Sequence, residues 1–495
     1  MPEHCNPYSA NFGHSLERKW VTFAAYCGLL IFLGMLPHRM TDDMTVHKAI
    51  AQALLAGNNW GRQCLVGSLD YPPLPTLLLV GCEAIAPYLQ TNGPQLLVTL
   101  SQGLAIISLI RLSMKHRDWF TAPLPAAIAI LVPCFREAFL TLDPGWAAAP
   151  FLAAAIYHAT QAERHNRLRD FVLTSLHCGL LTLCGVAPAF TGLALLVALH
   201  CGRRVKQKKA QLSTAGTASL LWPFLLYALL LWFLWNKLVM GDILFAFRPL
   251  FAQVSGVGKA QLSSRLQESL PGILPAITLI APLFILLKKS QRPATAACLL
   301  LALLGLMAAQ LLCVALCVPA PGRTPLLIIA ALGVCCLTLV APFVKGVPHS
   351  AACLAALLCC VVFANVGLPV NASPHQDHPS REELTAFIDQ YWPDSRTMLY
   401  GIRLPALYPD PFCHRFVQRL DYQQDDLLTQ AKDEQLHLLL PPDDGRFHPK
   451  HAEPFASFRE DAPPWLLLER QWPNGWQLWR LVPPPKGESR LDFLR

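Results

Sequence analysis

Residues 72–90 read PPLPTLLLVGCEAIAPYLQ, and whether they cross a bilayer decides the topology of everything that follows. The stretch is apolar and close to the roughly 20 residues a spanning helix needs. It opens with Pro72, Pro73 and Pro75 and carries Glu83 at its centre, a costly group in hydrocarbon. A crossing here would also move the basic cluster Arg111, Lys115 and Arg117 to the outer side and invert every later span. We therefore read 72–90 as an interfacial or re-entrant helix on the outer face. The alternative is a true span compensated by the merging of another pair.

Outward from this stretch the chain is built of apolar runs. Of its 495 residues 53% are hydrophobic and 15% charged, against about 25% charge in a soluble domain. Its mean hydropathy is +0.37. Disorder, coiled coil, collagen and a disulfide mini-protein are excluded. Runs long enough to span lie at 20–37, 94–113, 119–137, 144–160, 171–186, 187–201, 215–237, 271–288, 295–317, 324–344 and 349–369. The first follows Arg18 and Lys19 and has no small-residue cleavage site, so it reads as an uncleaved span.

The basic residues test this count. Arg18/Lys19, Arg111/Lys115/Arg117, Arg164/Arg167/Arg169, Arg203 through Lys209, Lys288/Lys289/Arg292 and Lys345 hold 17 of the 26 bases before residue 371. With about eleven crossings every cluster falls on the cytoplasmic side, as the positive-inside rule requires. The N-terminus then lies inside and the tail outside. The expected fold is a polytopic α-helical membrane protein of about 11 transmembrane helices with a small C-terminal α/β domain. The expected domains are 1–370, including a first outer loop at 38–71, and 371–495.

Charge divides the chain at the same place. Residues 371–495 carry 19 acids and 14 bases, a net of −5; residues 1–370 carry 13 acids and 26 bases, a net of +13. The positive charge thus belongs to membrane loops and does not indicate nucleic acid. Most of the 17 cysteines lie in apolar runs, where Cys acts as a small hydrophobe. None has the spacing of a metal site. Cys413, the only tail cysteine, is a candidate disulfide partner for Cys64 if both face outward.

Three outer places gather ionisable groups. The first loop runs HRMTDDMTVHKAIAQALLAG from His38. Thr41 reads as an N-cap, Asp42 and Asp43 fill the first turn, Val46, Ile50, Ala53 and Leu54 recur at helical spacing, and Gly57 ends the run. This predicts a surface helix lying against the membrane, whose acids complement its dipole or serve a site. The second place is Arg136-Glu137 through Asp143-Pro144, where Asp143 is suited to cap the helix that Pro144 opens. The third is the loop 238–270, with Arg248, Lys259 and Arg265 among Phe245, Phe247 and Phe251. That mixture suits either a lipid carrying a phosphate or plain anchoring to anionic headgroups. Arg323, at the outer end of the 324–344 run, is a further phosphate candidate.

The order of these features resembles the GT-C glycosyltransferases of the protein O-mannosyltransferase and aminoarabinose transferase type. They are a first span, an acidic loop reading D-x-x-x-H-x-x-I-A-x-x-L-L-x-G, then Tyr71-Pro72-Pro73-Leu74, then Leu142-Asp143-Pro144, then an outer tail. The family pattern is close to D-E-x-x-Y-x-x-I-A, and aligning Ile50-Ala51 puts Asp43, not Asp42, at the catalytic aspartate. Met44 stands in place of the second acid and His47 in place of the tyrosine; Asp70 stands where some members carry a lysine near the lipid phosphate.

The resemblance implies transfer of a sugar from a polyprenyl-phosphate donor to a lipid, glycan or protein acceptor, with inversion. Asp43 would be the base, flanked by Asp42, and Asp143 would shape the acceptor side or hold a cation. His47, Lys48, Tyr71, Arg136, Glu137, Arg248, Lys259, Arg265 and Arg323 are the candidate substrate-binding residues. Positive charge at the leaving phosphate would come from Arg or Lys or from a divalent cation, Mg or Mn. No resident metal site is otherwise indicated. The implied location is a bacterial inner membrane, multi-pass, among membrane lipids, with the tail periplasmic.

In the tail, Arg381–Tyr391 and Asp425–Glu434 read as helices; Met398–Ile402, Leu436–Leu440, Trp465–Glu469 and Trp476–Val482 read as strands. Trp472, Trp476 and Trp479 read as core or interface aromatics ahead of a sugar platform. The competing functions are a polysaccharide polymerase or ligase, a flippase for lipid-linked glycan, and an ion-coupled transporter. The transporter ranks last, because the acids sit at span ends and no repeat is visible.

Overall fold

A computed structural model describes residues 38–113, 139–206, 214–247, 304, 308, 379–410, 414–420, 436–442 and 462–482. The runs at 20–37, 119–137, 271–288, 324–344 and 349–369 and the tail helix at 425–434 lie outside these residues, as does the run at 295–317 apart from 304 and 308. In chain order the elements are β1 (Arg39–Met40), α1 (Asp42–Leu55), α2 (Asn59–Val66), α3 (Pro73–Ile85), α4 (Gly93–Ser113), β2 (Thr141–Leu142), α5 (Ala149–His165), α6 (Leu168–Thr182), α7 (Val186–Lys206), α8 (Thr214–Leu221) and α9 (Pro223–Met240). The C-terminal segment adds α10 (Arg381–Tyr391), β3 (Arg396–Tyr400), α11 (Arg403–Leu407), β4 (Phe416–Arg419), β5 (Leu436–Leu440), β6 (Leu466–Gln471) and β7 (Gln477–Leu481). The described residues form two compact units, 38–41 with 72–232, and 42–71 with 233–247 and the residues from 379 onward.

The first unit is helical apart from one short ladder. Strand β1 pairs in parallel with β2, Met40 opposite Leu142, and the Thr41 hydroxyl donates to the Leu142 carbonyl at 3.0 Å. Helix α3 starts at the prolines because Pro73 stands where a missing N–H costs nothing. Its Glu83 carboxyl lies against Gly93 at the start of α4, so close that a Cβ on Gly93 would meet Glu83 Cδ at 2.6 Å. An acid at a helix N-terminus is favoured by the dipole, which offsets part of the cost noted for this residue. The 215–237 run is not one helix. Pro223 cannot continue α8, so α8 ends at Leu221 and α9 begins at Pro223.

Among the described residues α9 is the one helix long and apolar enough to cross a membrane; Pro73–Leu89, Gly93–Leu109 and Val186–Val197 are shorter apolar helices. Along α9, Leu226, Leu230, Leu234 and Leu238 recur every fourth residue and are each more than half exposed.

The second unit joins the first loop to the C-terminal segment. A five-stranded sheet has the order β4-β3-β5-β7-β6, with β3 parallel to β4 and β5 and the last two pairings antiparallel. All five residues of β5 are buried, the signature of a strand covered on both faces. Leu436, Leu438 and Leu440 point to one core with Met398, Trp465 and Trp479. Leu439 points to the other with Leu384, Ile388, Phe416, Trp472 and Trp476. Trp472, Trp476 and Trp479 are thus core residues, as their sequence context suggested. Strand β4 is an element the sequence reading did not contain. Helix α10 forms over its expected range; Ser380 caps it, accepting from Glu383 N at 3.0 Å.

The expectation that α1 lies against the membrane is corrected here. Val46, Ala49, Ile50 and Ala53 pack instead with Trp60 and Cys64 of α2, Tyr71 and Ala406 of α11, with Ile402 and Leu420 at the edge. The Trp60 indole donates to the Gly401 carbonyl at 2.9 Å, and Asn58 donates to the Gln418 side chain at 3.0 Å. Cys64 is a buried free thiol, and Cys413, its candidate partner, lies outside the described residues.

Gly61 lets α2 approach the end of α1: a Cβ there would lie 2.9 Å from the Leu54 backbone nitrogen and 3.0 Å from Ala53 Cβ. Backbone cannot step aside, so this crowding outweighs the helix preference of alanine. Gly61→Ala should destabilise the unit by about 1–2 kcal/mol net, lowering the melting temperature of purified full-length protein in detergent.

Candidate active site

Asp42 and Asp43 fill the first turn of α1, where their charge suits the helix dipole. The Asp43 side chain is 40% exposed and reaches Arg403, whose Nη2 lies 3.5 Å from Asp43 Oδ1. Arg403 is the first residue of α11, and its Nε–H donates to the Tyr71 hydroxyl at 2.7 Å. One guanidinium therefore serves a phenol on one edge and a carboxylate on the other. Tyr71 is buried, and the His47 ring packs edge-on against it at 5.5 Å between centroids.

Electrostatics follow from burial and from this one cation. Burial raises the Asp43 carboxyl above 3.8; Arg403 opposes the rise and Asp42 adds to it. Asp70 is pushed up to about 6 by burial, again with Arg403 opposing and Asp43 adding. Burial likewise raises the Tyr71 phenol. For Arg403, burial alone would lower the pKa, but Tyr71, Asp43 and Asp70 outweigh it and keep the guanidinium charged. His47 is buried and pushed down to about 3, so it is a neutral ring at physiological pH. A neutral His47 braces Tyr71 and offers no positive charge to a phosphate.

Of the candidates read from sequence, Asp43 and Tyr71 are brought together, through Arg403. Lys48 is half-buried on α1, one residue beyond His47. Asp143 belongs to the other unit. There it caps the 3₁₀ turn Pro144–Ala148, its carboxylate accepting from Gly145 N at 2.6 Å, as Asp before Pro suggested. Arg136, Glu137, Arg248, Lys259, Arg265 and Arg323 lie outside the described residues. No group of three or more His, Cys, Asp or Glu side chains is arranged to hold a metal ion among the described residues. Among the described residues, the positive charge facing Asp43 and Asp70 is that of Arg403.

Arg403 and Asp70 were not among the site candidates. Asp70 was visible beside Tyr71-Pro72. Arg403 had no signal of its own: it lies more than three hundred positions further along the chain, in an ordinary Arg-Leu-Pro-Ala-Leu segment. Tertiary packing brings it to Asp43: Ala406 and Ile402 against the α1 stripe, with Trp60 bonded to Gly401 and Asn58 to Gln418.

Asp70 carries a stability signature. Its folded pKa, about 6, is above the ordinary 3.8, so the native state binds the extra proton between those values. Stability then falls as pH rises from about 4 through about 6. Asp70→Asn should raise the melting temperature by about 2–4 °C at pH 7.5, with the gain vanishing toward pH 4 in a series of thermal melts.

No protein-family model and no curated protein matches the chain. Among solved structures it is similar to ArnT from Cupriavidus metallidurans in the apo state, with a TM-score of 0.51 and 14% identity, covering 96% of this chain and 100% of that one. It is equally similar to ArnT from the same organism bound to undecaprenyl phosphate, with a TM-score of 0.50 and 13% identity over 96% and 99% of the two chains. The chain has the GT-C-like fold of these ArnT structures.

Proposed function

We propose that this protein is a membrane glycosyltransferase that moves a sugar from a polyprenyl-phosphate donor to a lipid, glycan or protein acceptor, with Asp43 as the base. The observation that carries the reading is a half-exposed carboxylate of raised pKa, held by Arg403 at the start of α1, in a chain with the ArnT fold. One of those ArnT structures is bound to undecaprenyl phosphate. A membrane setting is supported by α9, whose exposed leucine stripe would need an apolar solvent around it.

The chemistry is a single displacement. The acceptor O–H or N–H gives its proton to Asp43 as its heteroatom bonds the anomeric carbon. The bond from that carbon to the phosphate oxygen breaks with its electron pair, and the phosphodiester leaves as a phosphomonoester of the polyprenol. A base works best with a pKa near the working pH, and desolvation moves the Asp43 carboxyl in that direction. Inversion follows from one displacement. Asp143 shapes the acceptor side or holds a cation, and Arg248, Lys259, Arg265 and Arg323 are the competing candidates for the donor phosphate. By the charge distribution of the loops, about eleven spans place this chemistry and the tail on the periplasmic face of a bacterial inner membrane.

Asp43→Asn is the direct test. Glycolipid and glycoprotein from cells carrying wild-type, Asp43→Asn or no protein are compared by mass analysis. Turnover should fall by about 10²–10⁴-fold with the folded protein still present in the membrane. Product formed at the wild-type rate by the variant would overturn the assignment and favour a flippase, which needs no base.

A further inference from the structure

Resting on the reading of Asp43 as the base, we propose that Arg403 is its positioning residue: a guanidinium delivered by the C-terminal segment and braced by Tyr71, fixing the Asp43 carboxylate and holding it ionised. The geometry is that of a clamp with a fixed root. Upstream, the Trp60 indole pins the Gly401 carbonyl at 2.9 Å. Downstream, Leu404 and Ala406 are buried, which ties α11 to the core. At its head the Nε edge is held by the Tyr71 hydroxyl at 2.7 Å, and Tyr71 is itself buried against His47. What remains free to choose its direction is little, so the Nη2 edge is presented to Asp43. A lysine could supply the charge but not the two-edged fork.

The groups facing this carboxylate come from three segments. Asp42 shares its helical turn, Asp70 and Tyr71 come from the segment before α3, and Arg403 comes from α11. Arg403 is the one cation among them. Both partners of the ion pair are about 40% exposed, so the pair contributes little to folding. Its consequence is felt by the ionisation of Asp43. The tail thereby becomes part of the site: among the described residues, the base without α11 would face other acids and a phenol.

The test reads Asp43 protonation without using turnover, so it can fail independently of the glycosyltransferase reading, which Asp43→Asn addresses. A hydrophobic carbodiimide labels protonated carboxyl groups, and peptide mass spectrometry follows labelling of Asp43 against pH in the full-length protein. Arg403→Gln should move the labelling midpoint upward by about one pH unit, and the acid limb of the turnover profile with it. Arg403→Lys should keep the midpoint within about half a unit while lowering turnover, because charge is retained and the brace is lost. A midpoint identical in wild-type and Arg403→Gln overturns the proposal, as does an equal shift in Arg403→Lys. If Arg403→Gln does not fold, Tyr71→Phe carries the same test. Releasing the brace should raise the midpoint by part of that shift, and an unchanged midpoint overturns the proposal.

Discussion

The site depends on one packing requirement: the apolar stripe of α1 has to be covered, and what covers it comes from the opposite end of the chain. Val46, Ala49, Ile50 and Ala53 would otherwise face water. Burying such side chains is worth about 1.5–3 kcal/mol each for the larger ones. Trp60, Cys64 and Tyr71 supply the local half of the cover, and Ala406 with Ile402 supplies the distant half. Hydrogen bonds from Trp60 to Gly401 and from Asn58 to Gln418 then fix the register between the two segments. Hydrophobic burial brings the pieces together; the polar bonds decide where they stop.

The position of Arg403 follows from that register. Its backbone is set by the core, and its side chain can extend only to the corner where Asp43, Asp70 and Tyr71 converge. Two carboxylates and one guanidinium in a half-buried corner cannot all keep their solution behaviour. Burial raises Asp70 to about 6, and His47 becomes a neutral packing ring.

How legible this was in the sequence varies with the range of the interaction. Elements set by local rules were readable: α1 from its i, i+3, i+4 apolar residues, α10 from its periodic face, β5 from an apolar run of strand length. The Asp143 cap was readable from Asp-Pro. The break between α8 and α9 was in principle visible at Pro223, but hydropathy counted over a window hides one proline among leucines. Strand β4, Phe-Val-Gln-Arg, is too short to announce itself and exists because β3 offers an edge for parallel pairing. The destination of the α1 stripe was unreadable. An apolar face says that it will be covered, and a bilayer and a protein surface satisfy it equally. Arg403 was invisible for the same reason, since nothing near it in the chain records its partner.

The direction of the Asp43 shift can be argued from magnitudes. Two unit charges about 4 Å apart attract by about 1 kcal/mol in water and about 4 kcal/mol at an effective dielectric of about 20. At 3.5 Å, with both side chains about 40% exposed, the Asp43–Arg403 pair belongs nearer the weaker limit. Desolvation on the protein side and the adjacent Asp42 both favour the neutral acid. The cation therefore moderates the rise without cancelling it, leaving a carboxylate more basic than one in water. A tighter, fully buried Arg pair would have driven the pKa below the ordinary range and made Asp43 a poor proton acceptor. A corner without Arg403 would have left it protonated over more of the working range. The loose geometry at the mouth of α1 lies between these limits, and that is the range in which a carboxylate can take a proton from an acceptor hydroxyl as the new bond forms.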